Sequence, residues 1–171
     1  MLWFLLGPGP SMNRDLADRV RGNRVCVVGN AYEVAPWADM LVANDIRWWQ
    51  NHPKAHEFAG RKLSANQIKG VERLKPNTFG SLSNSGVLGL DAVRNEGATK
   101  VVMLGFDMHG THFFGPYTNG CTNTSEKRRT IHKQQFATWG RRNPTVEVVN
   151  ATEGTQLKCF PIARLDEVLR P

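Results

Sequence analysis

Four times the chain runs a short, unbroken stretch of apolar residues straight into glycine, asparagine or aspartate. Leu2–Leu6 ends in Gly7-Pro8-Gly9-Pro10-Ser11, residues 24–28 in Gly29-Asn30, residues 40–43 in Asn44-Asp45, and Lys100–Leu104 in Gly105-Phe106-Asp107. Runs of this length without polar alternation describe strands buried on both faces, as in parallel sheets covered by helices. A shorter run, Arg61–Ser64, and a clear last one, 145–149, extend the series.

Amphipathic stretches separate the runs. Asn13 or Ser11 caps a short helix reaching Arg21, with Leu16, Ala17 and Val20 as its buried stripe. Residues 46–50 turn into helix, Ser85–Asn95 has helical spacing and stops at Gly97, and a long helix spans 125–141. Strands alternating with helices predict an α/β fold: a Rossmann-like parallel sheet with helices on both faces. At 171 residues the chain has the size of a single domain, 1–171.

In such a sheet the strand C-termini share one edge, and ligands bind in the crevice there. Gly7, Gly9, Ser11, Asn30, Asn44, Asp45 and Asp107 are therefore expected to converge. Ser85-Gly86 opens a helix whose N-terminus can hold an anion, which makes this a candidate nucleotide site. An asparagine amide both donates and accepts, as ribose hydroxyls and base edges require. The plainer reading makes the glycines turn residues and Asn30 and Asn44 Asx turns. Neither GxGxxG nor GxxxxGK[ST] occurs, and Pro8 and Pro10 stiffen the first turn while removing two N–H donors.

Residues 108–124 are rich in Gly, Thr, Asn, His and aromatics without periodicity, the mark of a long functional loop. His109 is placed to protonate a leaving phosphate or stabilise its charge, and His112 to deprotonate an acceptor hydroxyl. The alternative is that both are ordinary loop histidines. His109, His112 and Cys121, with Asp107 or His132, have the residue types of a zinc site; Asp45 and Asp107 have those of a Mg²⁺ site for a triphosphate.

Lys and Arg outnumber Asp and Glu by 22 to 15, a net charge of +7. That excess fits an acidic partner (nucleotide, nucleic acid or phosphorylated glycan) or a solvated basic surface. Segments 125–135 and 140–143 concentrate it. Trp37, Trp48 and Trp49 either stack on a base or sugar or pack in a core or at the subunit contact of a homo-oligomer. Three cysteines without CxxC spacing fit a reducing, cytoplasmic setting. No apolar run approaches the ~18 residues that span a bilayer.

The strand entering G-P-G-P-S, the second and third strands ending in asparagine, and "NSGVLGLDAVRNEGATKVVMLGFDM" (84–108) resemble glycosyltransferase family 42. These are bacterial lipooligosaccharide sialyltransferases that use CMP-sialic acid. The skeleton is also similar to the archaeal-type 6-hydroxymethylpterin diphosphokinases and to small uncharacterised phage-encoded proteins. The phage proteins resemble it most in length and in "WADMLVANDIRWW" and "LGFDMHGTHFFGPYTNG".

The resemblance implies that Gly7, Gly9 and Ser11 lie beside the nucleotide phosphate and sugar, and Asn30 and Asn44 near the donor nucleotide. Ser85 and Gly86 would face the nucleotide or the donor sugar's carboxylate, with Asp107 beneath the site. It implies a transferase with a nucleotide-sugar donor of CMP type, acting in the cytoplasm, or the host cytoplasm if phage-encoded. The diphosphokinase branch implies ATP and Mg²⁺ instead. The family's first loop tyrosine falls at about His109, Tyr117 lies later, and no histidine stands near Ser125, which leaves His112 and His132 as candidates for the base. His109, His112 and Tyr117 would act on the leaving phosphate or the acceptor hydroxyl. Outside the resemblance stand a non-catalytic nucleotide-binding protein and a basic nucleic-acid-binding module.

Overall fold

Seven strands form one sheet in a computed structural model that describes residues 1–75 and 79–170. They are β1 (Leu2–Leu6), β2 (Val25–Val28), β3 (Met40–Val42), β4 (Arg61–Ser64), β5 (Glu72–Arg73), β6 (Lys100–Leu104) and β7 (Glu147–Asn150). All pairs are parallel, in the order β5-β4-β3-β2-β1-β6-β7. β1 is flanked by β2 and β6, with Leu5 opposite Cys26 and Met103. Strands with a neighbour on each side and helices above and below have no solvent face, which is why these runs lack polar alternation.

The helices are α1 (Arg14–Asp18), α2 (Ile46–Asn51), α3 (Ser85–Asn95), α4 (Glu126–Arg142) and α5 (Leu165–Val168). Side-chain alternation along the strands divides the core in two. Trp3, Leu5, Cys26, Val28, Val101 and Met103 pack with α3 and α4. Phe4, Leu6, Val25, Val27, Val102 and Leu104 pack with α1, α2 and α5. The fold is thus a single Rossmann-like α/β domain with helices on both faces.

Local chemistry explains the helix positions. Asn84 caps α3 by accepting the Val87 N–H at 3.0 Å, and Ser125 caps α4 by accepting that of Arg128 at 3.2 Å. A Cβ on Gly86 would come within 2.6 Å of the Phe136 ring, and one on Gly89 within 2.8 Å of Leu5, so both glycines let α3 lie close. α4 is mostly polar and holds on through Phe136 and Trp139, whose burial contributes about 2–3 kcal/mol each. The Trp139 indole also donates to Asp91 of α3 at 2.7 Å.

The departures from expectation are local. Asn13, not Ser11, caps α1, accepting the Leu16 N–H at 2.8 Å, and the helix stops at Asp18 rather than Arg21. The last strand begins at Glu147 and runs to Asn150. β5 and α5 were not anticipated. Trp48 and Trp49 are buried in the core on the α2 side, and Trp37 packs against it, partly buried. Among the described residues no helix is long and apolar enough to cross a membrane.

Candidate functional site

Where the chain reverses its direction of winding, β1 and β6 lie side by side and their following segments diverge. A cleft of about 1190 Å³ opens at this C-terminal edge. Of the expected site residues, Gly9, Asn44, Asp45, Ser85, Gly86, Asp107, His109, His112 and Tyr117 line it. Gly7, Ser11 and Asn30 do not.

The first turn is a wall. The Gly7 N–H donates to the Leu104 carbonyl at 2.7 Å and that of Gly9 to Gly105 at 2.9 Å, while Pro8 and Pro10 have no donor. No amide from Gly7 to Pro10 is left for a phosphate. A Cβ on Gly7 would meet the Gly105 carbonyl at 2.8 Å, so this glycine permits close packing on β6. Ser11 donates its hydroxyl to Asp107 Oδ2 at 2.9 Å, and Asp107 is 2% exposed.

Asn44 ties the cleft floor together. Its side-chain amide donates to the Ser81 and Ser83 carbonyls, both at 2.9 Å, and its Oδ1 accepts the Ala65 N–H at 3.2 Å. Its own backbone N–H donates to Ser85 Oγ at 3.0 Å. The ends of β3 and β4 are thereby joined to the segment entering α3. Asp45 is exposed and caps α2, accepting the Arg47 N–H at 2.8 Å. In the same wall, Ser83 Oγ is the one buried side-chain polar atom among the described residues without a partner. Leaving it so costs about 1–3 kcal/mol, which a water or ligand atom would relieve.

The 108–124 loop is fastened on three sides. The Phe113 N–H donates to the Pro8 carbonyl at 3.1 Å. Asn119 donates to His52 Nε2 at 3.3 Å, just beyond α2, and Arg129 of α4 donates to the Gly110 and Thr124 carbonyls. Entry into the loop puts Met108 at φ 58°, the one described non-glycine residue with left-handed backbone, a strain of about 1–2 kcal/mol. Gly115, at φ 86°, turns its carbonyl back to His112 Nδ1 at 3.2 Å. A carbonyl only accepts, so Nδ1 carries the proton and Nε2 is left with its lone pair. Burial, with Arg129 adding to it, lowers the His112 pKa below its usual 6.5, so the ring is neutral at pH 7.

Cationic groups line the cleft from two helices. Arg47 of α2 and Arg128 of α4 have guanidiniums without a hydrogen bond or ion pair among the described residues. At His132, also on α4, burial next to Arg128 pushes the pKa down to about 4. Between the ordinary 6.5 and that value the unfolded chain binds a proton here that the folded chain does not. Stability therefore falls as pH drops through this window. With allowance for solvent around a half-buried ring, urea unfolding at pH 5 is expected to show about 1 kcal/mol lost at this site relative to pH 7. His132→Gln should remove that share; an unchanged pH dependence in the variant would refute the assignment.

Among the described residues no three His, Cys, Asp or Glu side chains gather where they could hold a metal. His109, His112 and Cys121 are thus not a zinc set, and Cys121 instead accepts a weak hydrogen bond from Asn51 at 3.8 Å. Asp45 and Asp107 both line the cleft, but they do not by themselves build a Mg²⁺ cage.

Fold and cleft together define a Rossmann-like α/β protein with a ligand cleft at the strand edge. Comparison with protein-family models, curated proteins and solved structures finds no match to the chain.

Proposed function

We propose that the protein is a transferase acting on a nucleotide-activated donor, in the manner of a nucleotide-sugar glycosyltransferase. The observation that carries the reading is the cleft at the switch point of the sheet, lined by unpaired Arg47 and Arg128 and by His112 with Nε2 unengaged. Its volume of about 1190 Å³ leaves room for a donor and an acceptor together.

In this scheme the two guanidiniums meet the donor phosphates, in place of the amides missing from the first turn. His112 Nε2 takes the proton of an acceptor hydroxyl as that oxygen bonds to the donor's anomeric carbon. The bond from this carbon to the phosphate oxygen breaks, and its electron pair stays on the nucleotide. Arg128 and His109 meet the charge that develops there. The resemblance to family 42 favours a CMP-type donor, and the net charge of +7 an acidic acceptor such as a glycan or nucleic acid.

A thermal-shift series with CMP, UDP, GDP and ATP, with and without Mg²⁺, tests this. At a hundredfold excess over its dissociation constant a nucleotide stabilises by about 2.7 kcal/mol. The melting temperature should then rise by roughly 5–11 °C. A response to ATP only with Mg²⁺ would move the reading to diphosphoryl transfer. No response to any nucleotide would refute it.

A further inference from the structure

The buried Asn30 carboxamide joins three parts of the chain that are distant in sequence. Its Oδ1 accepts the Trp48 indole N–H of α2 at 2.8 Å and the Tyr117 hydroxyl of the loop at 2.9 Å. Its amide donates to Glu33 Oε1 at 2.6 Å. Two donors fill the two lone pairs of an amide oxygen, so Asn30 has no acceptor left for a ligand.

Tyr117 is gripped at both ends. Its phenol is bound by Asn30, and its backbone exchanges two hydrogen bonds with the Asn123 side chain, at 2.7 and 3.1 Å. Between these anchors its ring lies 4.5 Å from the His112 imidazole, tilted by 54°. Phe114 stacks on the imidazole at 4.8 Å and 3° and lies 5.2 Å from the Tyr117 ring, so the three rings form one cluster. The Tyr117 proton is committed to Asn30, and burial raises the phenol pKa well above its ordinary value of 10, so Tyr117 neither gives nor takes a proton near neutrality.

We propose that Tyr117 and Asn30 are positioning residues for His112: Asn30 fixes the phenol, and the ring so fixed holds the imidazole in the plane that keeps Nδ1 on the Gly115 carbonyl and Nε2 free. Their value to the protein rests on the reading of His112 as the base, while the positioning itself is a property of the unliganded chain. The groups facing the imidazole are Tyr117 and Phe114 of its own loop and the Arg129 guanidinium of α4; His52, just after α2, meets the Tyr117 ring edge-on at 5.8 Å.

The test is a ¹⁵N-resolved titration of the His112 ring in the full chain, without nucleotide, for wild type and Tyr117→Phe. Wild type should show the Nδ1–H tautomer and a pKa below 6.5. In Tyr117→Phe, which keeps the ring and loses one hydrogen bond, the minor tautomer should grow by about fivefold and the pKa should move toward 6.5. Phe114→Leu, on a surface-exposed side chain, removes the stack with the Asn30 anchor intact and should shift the same two readouts less. Identical tautomer and pKa in wild type and Tyr117→Phe would overturn the proposal. A moved titration in a protein that ignores every nucleotide would uphold it and refute only the functional reading.

Discussion

Replacing Gly9 by alanine is expected to cost the fold about 3 kcal/mol and to lower the melting temperature by roughly 6–12 °C. An added Cβ would stand 2.0 Å from Asp107 Oδ2 and 2.5 Å from the Gly105 carbonyl oxygen. The carboxylate can swing aside, at the expense of its bond from Ser11. The carbonyl cannot, because it is backbone at the end of β6 and already accepts the Gly9 N–H. The turn after β1 must then separate from the end of β6, opening the centre of the sheet edge. Gly22→Ala is the control: it stands in a left-handed conformation, at φ 88°, which Gly9 does not, but nothing lies within 4 Å of its Cβ, so it should cost only about 1 kcal/mol. Equal melting temperatures for the two variants would show that the close approach of turn and strand end is wrong.

His112→Gln is expected to slow transfer by about 10²- to 10⁴-fold while leaving the nucleotide-induced thermal shift in place. Glutamine can still donate to the Gly115 carbonyl but has no group able to take a proton. The pH profile of kcat/KM carries the sign. His112 acts when neutral and its pKa lies below 6.5, so the rate should be flat through neutrality and fall only on the acid side of 6.5. A variant with wild-type turnover would remove His112 from the chemistry. Loss of the thermal shift as well would make it a binding residue.

The sheet was legible because burial on both faces leaves its signature in single strands. Leu2–Leu6, Lys100–Leu104 and Arg61–Ser64 are strands with the expected bounds. β5 left no such signature: Glu72 and Arg73 are exposed, and only the register of β4 places them in the sheet. α5 is one turn long, too short for a periodic pattern. The edge site was readable as a place, since strand ends must line up in a parallel sheet. Individual roles were harder to read. Asn30 ends a strand as a ligand-reading asparagine would, but its partners are Trp48 and Tyr117, the latter 87 positions away. Arg128 lies in the basic 125–135 segment and Arg47 outside it, and only the structure separates guanidiniums facing the cleft from those engaged in ion pairs.

The first turn has a bearing on how such a protein can change over generations. Its amides are committed to β6, and Gly7 and Gly9 admit no side chain, so this stretch resists substitution. The Arg47 and Arg128 guanidiniums have no hydrogen bond or ion pair among the described residues and sit on helix surfaces, where exchange rarely threatens folding. Substitutions at these two positions should therefore change what the cleft presents while leaving the scaffold in place. A cradle of backbone amides loses a donor only where proline enters it, as at Pro8 and Pro10, so side-chain substitution adjusts it far less.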